Sequence, residues 1–378
     1  MNMTKDKTVA LNFIKAISSI IIAYLYHYKN DFCDLIGNPF PLENFRGGVN
    51  WCSNNGWMLT DMFFVLSGFT FVLAYKEKIE DGLINFSFFL ENRIKRLFPM
   101  MILSTIIMTI MEYVYYYLTN SWWLSEANIW NVFISIIGMP TGWFNMGFIV
   151  NMPIWYISVL LQAYILAYIL VKTVKKTNIS IIYIFPIIFY LSLDYSGGTN
   201  INFWMLNQFT SRGIKAFFVG LIFAAILNEH QQIIENNKKR LLCFVYILLG
   251  VIYLLYKKMG ESILGNTLYI LVFIIYPCII FLVLYSDVWN KVCKLKIFQI
   301  LGKGSFEIYL WNLPIQLGTF LFSIILSCEF HYESKLFFVL HMIISIIISL
   351  IIYYKIEIPI SRWIVNKKLG YLSNERAI

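Results

Sequence analysis

The sequence has little charge for its length. Only 13% of its 378 residues are Asp, Glu, Lys or Arg, whereas 59% are hydrophobic. Soluble domains carry roughly a quarter charged residues, so this composition excludes a predominantly soluble protein. The apolar residues come in long runs, and a helix needs about 20 such residues to cross a bilayer. The alternating pattern of membrane β-strands is not seen. The sequence therefore predicts an all-α polytopic integral membrane protein.

The sequence also lacks paired cysteines of the metal or redox type. Its six cysteines are scattered, and none forms a CxxC pair, so neither a metal site nor a thiol redox centre is expected. Cys33 and Cys52 fall in one predicted outer loop, where a disulfide and two separate thiols are both open alternatives. No permanently bound cofactor is predicted.

We place ten transmembrane helices along the chain, within one membrane domain over 1–378. A further apolar stretch at 130–140 is short and ends in Gly138-Met139-Pro140, so we interpret it as interfacial or re-entrant. The predicted spans are 8–27, 57–75, 97–118, 153–172, 178–194, 213–228, 241–256, 263–285, 305–327 and 335–355.

Basic residues indicate the orientation of these spans. With ten spans and both termini cytoplasmic, most Lys and Arg clusters fall in cytoplasmic segments, as is usual for short loops. Counting 130–140 as a span would place the later basic loops on the wrong side. The net charge of +9 therefore reflects topology in a lipid bilayer, and no nucleic-acid partner is expected. The cytoplasmic clusters lie at 93–96, 172–176, 238–240, 291–296 and 362–368.

Two ionisable residues are predicted inside the membrane, where such groups are rare and usually functional. His27 lies at the outer end of the first predicted span, and Asp61 lies about one turn into the second. Consecutive antiparallel spans place the two side chains at similar depth. A carboxylate on one imidazole nitrogen selects one tautomer and makes the other nitrogen more basic. The pair therefore predicts a general base for a hydroxyl group. A water-bonded interfacial histidine is an equally good interpretation of His27 alone.

Arg93 and Arg96 form a second candidate site, on the cytoplasmic side. Three residues apart, they share one face of the third helix, and Pro99 suits the first turn of that helix. Two guanidinium groups at a helix start form a suitable clamp for a phosphate group. The alternative, favoured on these residues alone, is that they are ordinary basic residues flanking the inner end of a span.

Several motifs occur in a recognisable order along most of the chain. Together they resemble the acyltransferase 3 family of membrane acyltransferases; each motif is weak alone, but the ordered set is specific. The motifs are Lys15 and His27, Asp61 with Phe63-Phe64-x-x-Ser67-Gly68-Phe69, Arg93-x-x-Arg96 with Pro99, Trp155-Tyr156-Ile157-Ser158 with Tyr164, Leu301-Gly302 with Ser305 and Tyr309-Leu310-Trp311, and Glu357 with Pro359.

The sequence departs from the family pattern in three places. Family members commonly have ten residues between the basic residue and the histidine, whereas eleven separate Lys15 from His27. A twelve-residue step leaves two side chains roughly 120° apart on an α-helix, unless a π-bulge absorbs the extra residue. Asn312 replaces a common histidine and Leu161 a common acidic residue, so neither is assigned a catalytic role.

The resemblance implies an enzyme that transfers an acyl group, usually acetyl, to a hydroxyl group of a cell-envelope or exopolysaccharide sugar. Acyl-CoA would bind from the cytoplasm with its phosphates on Arg93 and Arg96. Its pantetheine arm would extend towards His27 over a depth of about 18 Å, the length of a twelve-residue helix. His27 would deprotonate the acceptor and Asp61 would orient it. Direct transfer and an acyl-histidine intermediate are both open.

Other residues are weaker candidates. Solvent exposure, or the usual aromatic belt at a membrane interface, explains them at least as well. They are Lys15 and Lys303 for the acyl-CoA phosphates, and Glu43, Trp155, Tyr309 and Arg212 for the substrate.

The resemblance also implies a bacterial plasma membrane location and leaves room for a separate extracytoplasmic partner protein. The main alternative function is a transporter or exporter of a glycan or lipid-linked intermediate, but inverted repeats and paired broken helices are not evident. A non-catalytic membrane scaffold is a third interpretation. Only an enzyme that joins a donor to an acceptor needs both the histidine and the arginine pair.

Overall fold

The computed structural model describes residues 3–147, 149–174, 181–195, 204–259 and 267–364. These residues form helices and no strand, which confirms the predicted all-α membrane class. Parts of two predicted spans (178–180 and 263–266) and parts of two basic clusters (175–176 and 365–368) lie outside the described residues.

The α-helices of the described residues are numbered in chain order, and π-helical segments are numbered separately. Helical residues 358–364 continue the last π-helical segment. The elements are α1 Met3–Ile20, π1 Ile21–Cys33, α2 Asp34–Ile36, α3 Gly48–Asn55, α4 Leu59–Phe71, π2 Val72–Lys76, α5 Glu77–Glu80, α6 Phe86–Thr119, α7 Ile129–Ile136, α8 Ile154–Val174, α9 Phe185–Tyr195, α10 Gln208–Glu229, α11 Gln231–Asn236, α12 Lys238–Met259, α13 Thr267–Ile270, π3 Leu271–Ile275, α14 Tyr276–Tyr285, α15 Asp287–Cys293, α16 Lys296–Lys303, α17 Ser305–Ile325, α18 Lys335–Ile352 and π4 Tyr353–Glu357.

Nine helical stretches of the described residues are long and apolar enough to cross a membrane. Nine of the ten predicted spans correspond to them. Within the described residues, the remaining prediction, 178–194, contains the shorter apolar helix α9. The nine stretches are Lys7–Ile36, Gly48–Glu80, Phe86–Thr119, Ile154–Val174, Gln208–Glu229, Lys238–Lys258, Leu268–Tyr285, Ser305–Ile325 and Lys335–Ile364.

The apolar stretch at 130–140 forms the short helix α7. Its 8 residues extend about 12 Å, well short of the hydrocarbon thickness, so it does not cross the membrane by itself. The chain leaves the helix at Gly138, where φ is +70°, a conformation that glycine adopts without strain. Further on, the amide N–H of Gly142 donates to the hydroxyl of Ser158 on α8. The interpretation of this segment as non-spanning agrees with its length.

The described residues divide between two compact units, each built from separate parts of the chain. The prediction of a single domain stays a prediction. The first unit contains 1–18, 58–85 and 159–303, and the second contains 19–57, 86–158 and 304–378.

In the first unit, glycines allow α4 and α10 to pack backbone against backbone. Gly68 on α4 faces the backbone of Phe217, and Gly220 on α10 faces the backbone of Val65. A Cβ atom at either glycine would collide with a carbonyl oxygen of the other helix. Small residues are the usual means of such close approach within a membrane. Gly68 of the Ser-Gly motif therefore serves helix packing.

Replacing Gly68 or Gly220 by alanine is expected to destabilise the protein by about 1–3 kcal/mol, because the backbones must separate to admit the methyl group. The apparent melting temperature of purified protein in nanodiscs measures the effect. Gly250 on α12 is the matched control, since a Cβ there meets no atom within 4 Å. Gly250→Ala is expected to leave the melting temperature unchanged or slightly raised. Equal losses at all three glycines would contradict the packing argument.

In the second unit, aromatic side chains bury the end of π1 against α18. The ring centroid of Tyr28 is 5.0 Å from that of Phe338, and the ring of Phe32 stacks on His341 at 6.1 Å. His341 also lies close to the hydroxyl groups of Thr319 and Ser345, at 3.5 and 3.4 Å. This cluster anchors π1, the segment that carries His27.

All six cysteines are free, including Cys33 and Cys52, so the alternative of two separate thiols is the one observed. Outside the membrane-spanning stretches, burial raises the pKa of the Cys293 thiol to about 11. A thiol with such a pKa stays protonated at neutral pH and is a poor nucleophile.

Candidate active site

His27 lies within a membrane-spanning helix rather than at its outer end. The helix that includes π1 continues to Ile36, beyond the predicted end of the first span at residue 27. The prediction ended the span where polar residues begin, but Tyr28, Phe32 and Cys33 are buried, and the helix continues because these side chains pack inside the unit. His27 therefore lies nine residues before the end of this helix rather than at its end.

The π-helical turns of π1 fall between Lys15 and the end of the span. An i→i+5 helix takes up more residues per turn than an α-helix, which is how an inserted residue is accommodated without ending the helix. From the sequence, a π-bulge was one way to absorb the extra residue before His27; the alternative was that Lys15 does not play the usual role. π1 begins at Ile21, in the required interval.

The partner of His27 is Asn312 on α17. Nδ1 of His27 lies 2.9 Å from Oδ1 of Asn312, and both residues are buried, at 5% and 0% exposure. Nδ2 of Asn312 donates to the carbonyl oxygen of Tyr309, so the amide oxygen must be the atom that faces the imidazole. Nδ1 of His27 therefore carries the hydrogen, and Nε2 carries the lone pair. The sequence had excluded Asn312 from any role in catalysis.

Asn312 lies on a polar face of α17. Tyr309, Asn312 and Gln316 are three and four residues apart, which puts them on one face of the helix. The ring centroid of Tyr309 is 6.2 Å from that of His27, and Nε2 of Gln316 donates to the carbonyl oxygen of Ala23 at 3.2 Å. This polar stripe within an apolar span was the available sequence signal for Asn312.

Asp31 is a second residue that the sequence prediction missed. It follows His27 by four residues, and its carboxyl group interacts electrostatically with the imidazole. Such a carboxylate stabilises the positive charge that a histidine acquires when it takes a proton. The four-residue spacing on one helix was the signal that could have found it.

Asp61, the predicted partner of His27, is paired with Arg212. Nη2 of Arg212 lies 3.2 Å from Oδ1 and 3.1 Å from Oδ2 of the carboxylate, and the Asp61 side chain is almost completely buried. Both residues belong to the first unit. The Asp61 carboxylate is thus bound by a guanidinium group, and the Arg212 side chain stays 19% exposed. The predicted roles, Asp61 orienting His27 and Arg212 contacting the acceptor, stay predictions.

A second ion pair lies one turn further along α10. Lys215 pairs with Asp194, which also accepts hydrogen bonds from the hydroxyl groups of Ser211 at 2.7 Å and Tyr269 at 2.9 Å. Lys215 interacts electrostatically with Asp61 as well. Two acids and two bases thus balance one another, which is how buried charges are usually tolerated.

Arg93 and Arg96 are on α6, one turn apart as predicted. The prediction that they lie at the start of the helix is wrong, because α6 begins at Phe86 and Pro99 lies inside it. The Arg93 guanidinium lies 5.9 Å from the ring centroid of Phe89, whereas Arg96 is exposed. Arg96 interacts electrostatically with two acids of the same unit, Glu307 on α17 and Glu357 on π4. The sequence did not anticipate that acids would accompany the arginine pair.

The remaining predicted residues have varied surroundings. Trp155 is buried in the first turn of α8, and Tyr156 next to it brings its ring within 6.0 Å of that of Tyr309. Lys303 is exposed at the end of α16, and Glu43 is exposed in a turn of the second unit. Lys15 is half-buried on α1.

The geometry of the second unit fits proton transfer at one atom. Nε2 of His27 carries a lone pair inside a membrane span, Asn312 holds the opposite nitrogen, and Tyr309 and Asp31 flank the ring. A histidine held in this way can accept a proton from a hydroxyl group and return it to a leaving group.

Comparisons with known proteins show the family to which the chain belongs. The acyltransferase 3 model, described as an acyltransferase domain, matches residues 8–354. "Protein 2 in picA locus" of Rhizobium radiobacter is 39% identical over 54 residues, which are 14% of this chain and 28% of that protein. The match thus spans little more than a quarter of that relative. No solved structure matches. Since the family model covers nearly the whole chain, the protein belongs to the acyltransferase 3 family and is a multi-pass membrane acyltransferase.

Proposed function

We propose that the protein moves an acyl group, most simply acetyl, from cytoplasmic acyl-CoA to a hydroxyl group of a cell-envelope or exopolysaccharide sugar in the bacterial plasma membrane. The observation that carries this proposal is the buried hydrogen bond between Nδ1 of His27 and Oδ1 of Asn312. It leaves Nε2 as the basic atom, which is the requirement for activating an alcohol.

In the direct route, Nε2 of His27 takes the proton of the acceptor hydroxyl as its oxygen attacks the thioester carbon. The new C–O ester bond forms, the C–S bond breaks, and the thiolate of CoA receives the proton from Nε2. In the covalent route, Nε2 attacks the thioester carbon, and the C–S bond breaks to release the thiolate of CoA. The acceptor oxygen then attacks the acyl carbon, the C–N bond to the imidazole breaks as the ester C–O bond forms, and the hydroxyl proton passes to the thiolate. Both routes need the tautomer that Asn312 selects.

The donor would bind at the end of α17 that lies near the arginine pair. Arg96 interacts with Glu307, which precedes Asn312 by five residues, or about 7.5 Å along the helix axis. The pantetheine arm would run from phosphates held by Arg93 and Arg96 to His27. It would then span a shorter distance than the roughly 18 Å expected from the sequence. This short separation along α17 supports acyl-CoA as the donor.

The proposal is tested by reconstituting the purified protein with labelled acetyl-CoA and the surface polysaccharide of the source cell. We expect label to appear on the polysaccharide as an alkali-labile ester, with free CoA released only when the acceptor is present. A transporter would instead move a glycan across the membrane without consuming acetyl-CoA. Glycan movement with no ester formation, for any short acyl-CoA, would overturn the proposed function.

Replacing Asn312 by leucine is expected to lower kcat by about 10–100-fold, because the imidazole loses the acceptor that holds its tautomer and orientation. The KM for acyl-CoA is expected to change much less. Gln316→Leu is the matched control: it removes a buried amide from the same helix face, but that amide bonds to Ala23 rather than to His27. Equal losses of kcat in the two variants would show that Asn312 acts through packing alone.

A further inference from the structure

The chain between α6 and α8 returns along α6 into the membrane-spanning part of the second unit. Just before α7, the carbonyl oxygen of Ala127 accepts a hydrogen bond from the hydroxyl of Tyr113, near the C-terminal end of α6. Just after α7, a Cβ atom at Gly138 would lie 3.2 Å from the side chains of Phe98 and Met101. α7 therefore runs antiparallel to α6, and the non-helical residues after it lie well inside the long span that α6 provides. Non-helical backbone at such depth occurs where it is buried in protein or lines a cavity.

Two residues of this non-helical segment are unusual. Val150 is completely buried and has a φ of +56°, a left-handed conformation that is strained for a β-branched residue. Asn151 is 1% exposed, and its Nδ2 donates to the hydroxyl oxygen of Ser104 on α6 at 3.2 Å. That hydroxyl in turn donates to the carbonyl oxygen of Met101, so the amide nitrogen must be the atom that faces it. Among the described residues, no group donates to Oδ1 of Asn151. Strained backbone of this kind occurs preferentially at functional sites.

A second unpaired polar atom belongs to α17. Trp311 is 4% exposed, and among the described residues its Nε1 has no hydrogen-bond acceptor. Trp311 is four residues from Glu307 and seven from Gly318, so the three share one stripe of the helix. Glu307 interacts electrostatically with Arg96 on α6, and a Cβ atom at Gly318 would lie 3.3 Å from the side chain of Met111 on α6. Trp311 therefore lies on the stripe that faces α6.

The two residues with unpaired atoms lie at one level of the interface between α6 and α17. The two contacts between these helices show that they run parallel. Ser104, the partner of Asn151, comes eight residues after the first contact on α6 and seven before the second, so it lies on the stripe that faces α17. Trp311 lies between the same two contacts on α17. The register of the helices thus brings Trp311 and Asn151 to the same level, and Asn312, which holds His27, follows directly in the chain.

One hydroxyl group would satisfy both unpaired atoms. Nearly all buried donors and acceptors in folded proteins are hydrogen-bonded, so two unpaired ones at one level need an explanation. The indole N–H is a donor only and the amide oxygen is an acceptor only, whereas a hydroxyl group donates and accepts through one oxygen atom. A sugar acceptor carries further hydroxyl groups beside the one that is acylated. A water molecule has the same hydrogen-bonding capacity, and acceptor kinetics separate the two.

We propose that Asn151 and Trp311 bind a second hydroxyl group of the acceptor sugar, with Oδ1 of Asn151 accepting a hydrogen bond from it and Nε1 of Trp311 donating to its oxygen. This inference rests on the proposed function. The sugar would be held by one hydroxyl group at this pair while His27 takes the proton of another. Recognition of the acceptor would therefore depend on the non-helical segment between α7 and α8, which carries Asn151.

The KM for the acceptor tests this inference on the full chain in nanodiscs. Asn151→Leu and Trp311→Phe are each expected to raise the KM for the surface polysaccharide by about fivefold to tenfold, the effect of one hydrogen bond. The kcat for acetyl transfer and the calorimetric affinity for CoA are expected to stay close to the wild-type values. Because both side chains bind one hydroxyl group, the double variant is expected to raise the KM by less than the product of the two single effects.

Thr105→Val is the matched control on α6. Thr105 and Ser104 are both fully buried, but the hydroxyl of Thr105 donates to the carbonyl oxygen of Met101 at 2.7 Å. The variant removes a buried polar group from the same turn of α6 and leaves the bond between Asn151 and Ser104 in place. Its KM for the polysaccharide is expected to equal that of the wild type.

A wild-type KM for the polysaccharide in both single variants would show that the pair holds a buried water molecule only. That result would overturn the inference while leaving the proposed function intact. An equal rise of the KM in Thr105→Val, or an equal loss of CoA affinity in the two variants, would have the same consequence, because the effect would then be one of packing. A wild-type protein that forms no ester would instead contradict the proposed function, and this inference would fall with it.

Discussion

Replacement of His27 by alanine is expected to lower kcat for acyl transfer by about 10²–10⁴-fold, the usual contribution of a positioned general base. In the direct route the variant has no group to take the proton of the acceptor hydroxyl, and in the covalent route it has no nucleophile. Binding of CoA is expected to persist, because the arginine pair is unchanged. Initial rates of acetyl transfer and calorimetric CoA binding, on the same preparation, measure both effects.

His341 offers a matched control in the same unit. Its exposed fraction is 6%, close to the 5% of His27. Its ring nitrogens, however, face the hydroxyl groups of Thr319 and Ser345. His341→Gln is expected to retain acyl transfer. Normal turnover by His27→Ala in a folded, CoA-binding preparation would eliminate His27 as base and nucleophile, and the reacting atoms would have to lie elsewhere.

Breaking the Asp61–Arg212 ion pair is expected to give the largest loss of stability. Removing one partner leaves the other charge buried and uncompensated, which costs about 3–5 kcal/mol in proteins. Asp61→Leu and Arg212→Met are therefore each expected to lower the apparent melting temperature strongly and to reduce the yield of monodisperse protein. The double variant buries neither charge, so its loss is expected to be smaller than the sum of the single losses.

The exposed pair Lys238–Asp287, with the Asp287 side chain 86% exposed, is the control for this prediction. Pairs of this kind contribute little to stability because water and salt screen them, so Asp287→Asn is expected to leave the melting temperature unchanged. If Asp61→Leu kept the wild-type melting temperature but lost acyl transfer, Asp61 would be catalytic, as the sequence first suggested. Loss of both together supports a structural role.

The membrane class and the candidate residues on individual helices could be predicted from the sequence because they depend on local properties. A bilayer demands about 20 apolar residues per span, and residues three apart on one helix, such as Arg93 and Arg96, share a face whatever surrounds them. The same counting suggested that a π-bulge before His27 could absorb the extra residue, and π1 begins at Ile21, between Lys15 and His27.

The partners of the buried charges could not be predicted in this way. Similar depth in consecutive spans suggested that Asp61 would orient His27. The observed partner of His27 is 285 positions away in the chain, and that of Asp61 is 151 positions away. Hydropathy gives the depth of a side chain but not its direction around the helix or the helix that it meets. Family comparison also argued against Asn312, since a different side chain is common there.

By itself, the sequence determined that this protein is a polytopic helical membrane protein of the acyltransferase 3 family, with a histidine and an arginine pair as its candidate reactive and donor-binding groups. Apolar run length and motif order carry that information directly. Only the tertiary structure decided that Asn312 holds His27, that Arg212 neutralises Asp61, and that acids accompany Arg96. These choices depend on how helices distant in the chain pack, because a buried polar group must take whichever partner the packing brings within hydrogen-bonding distance.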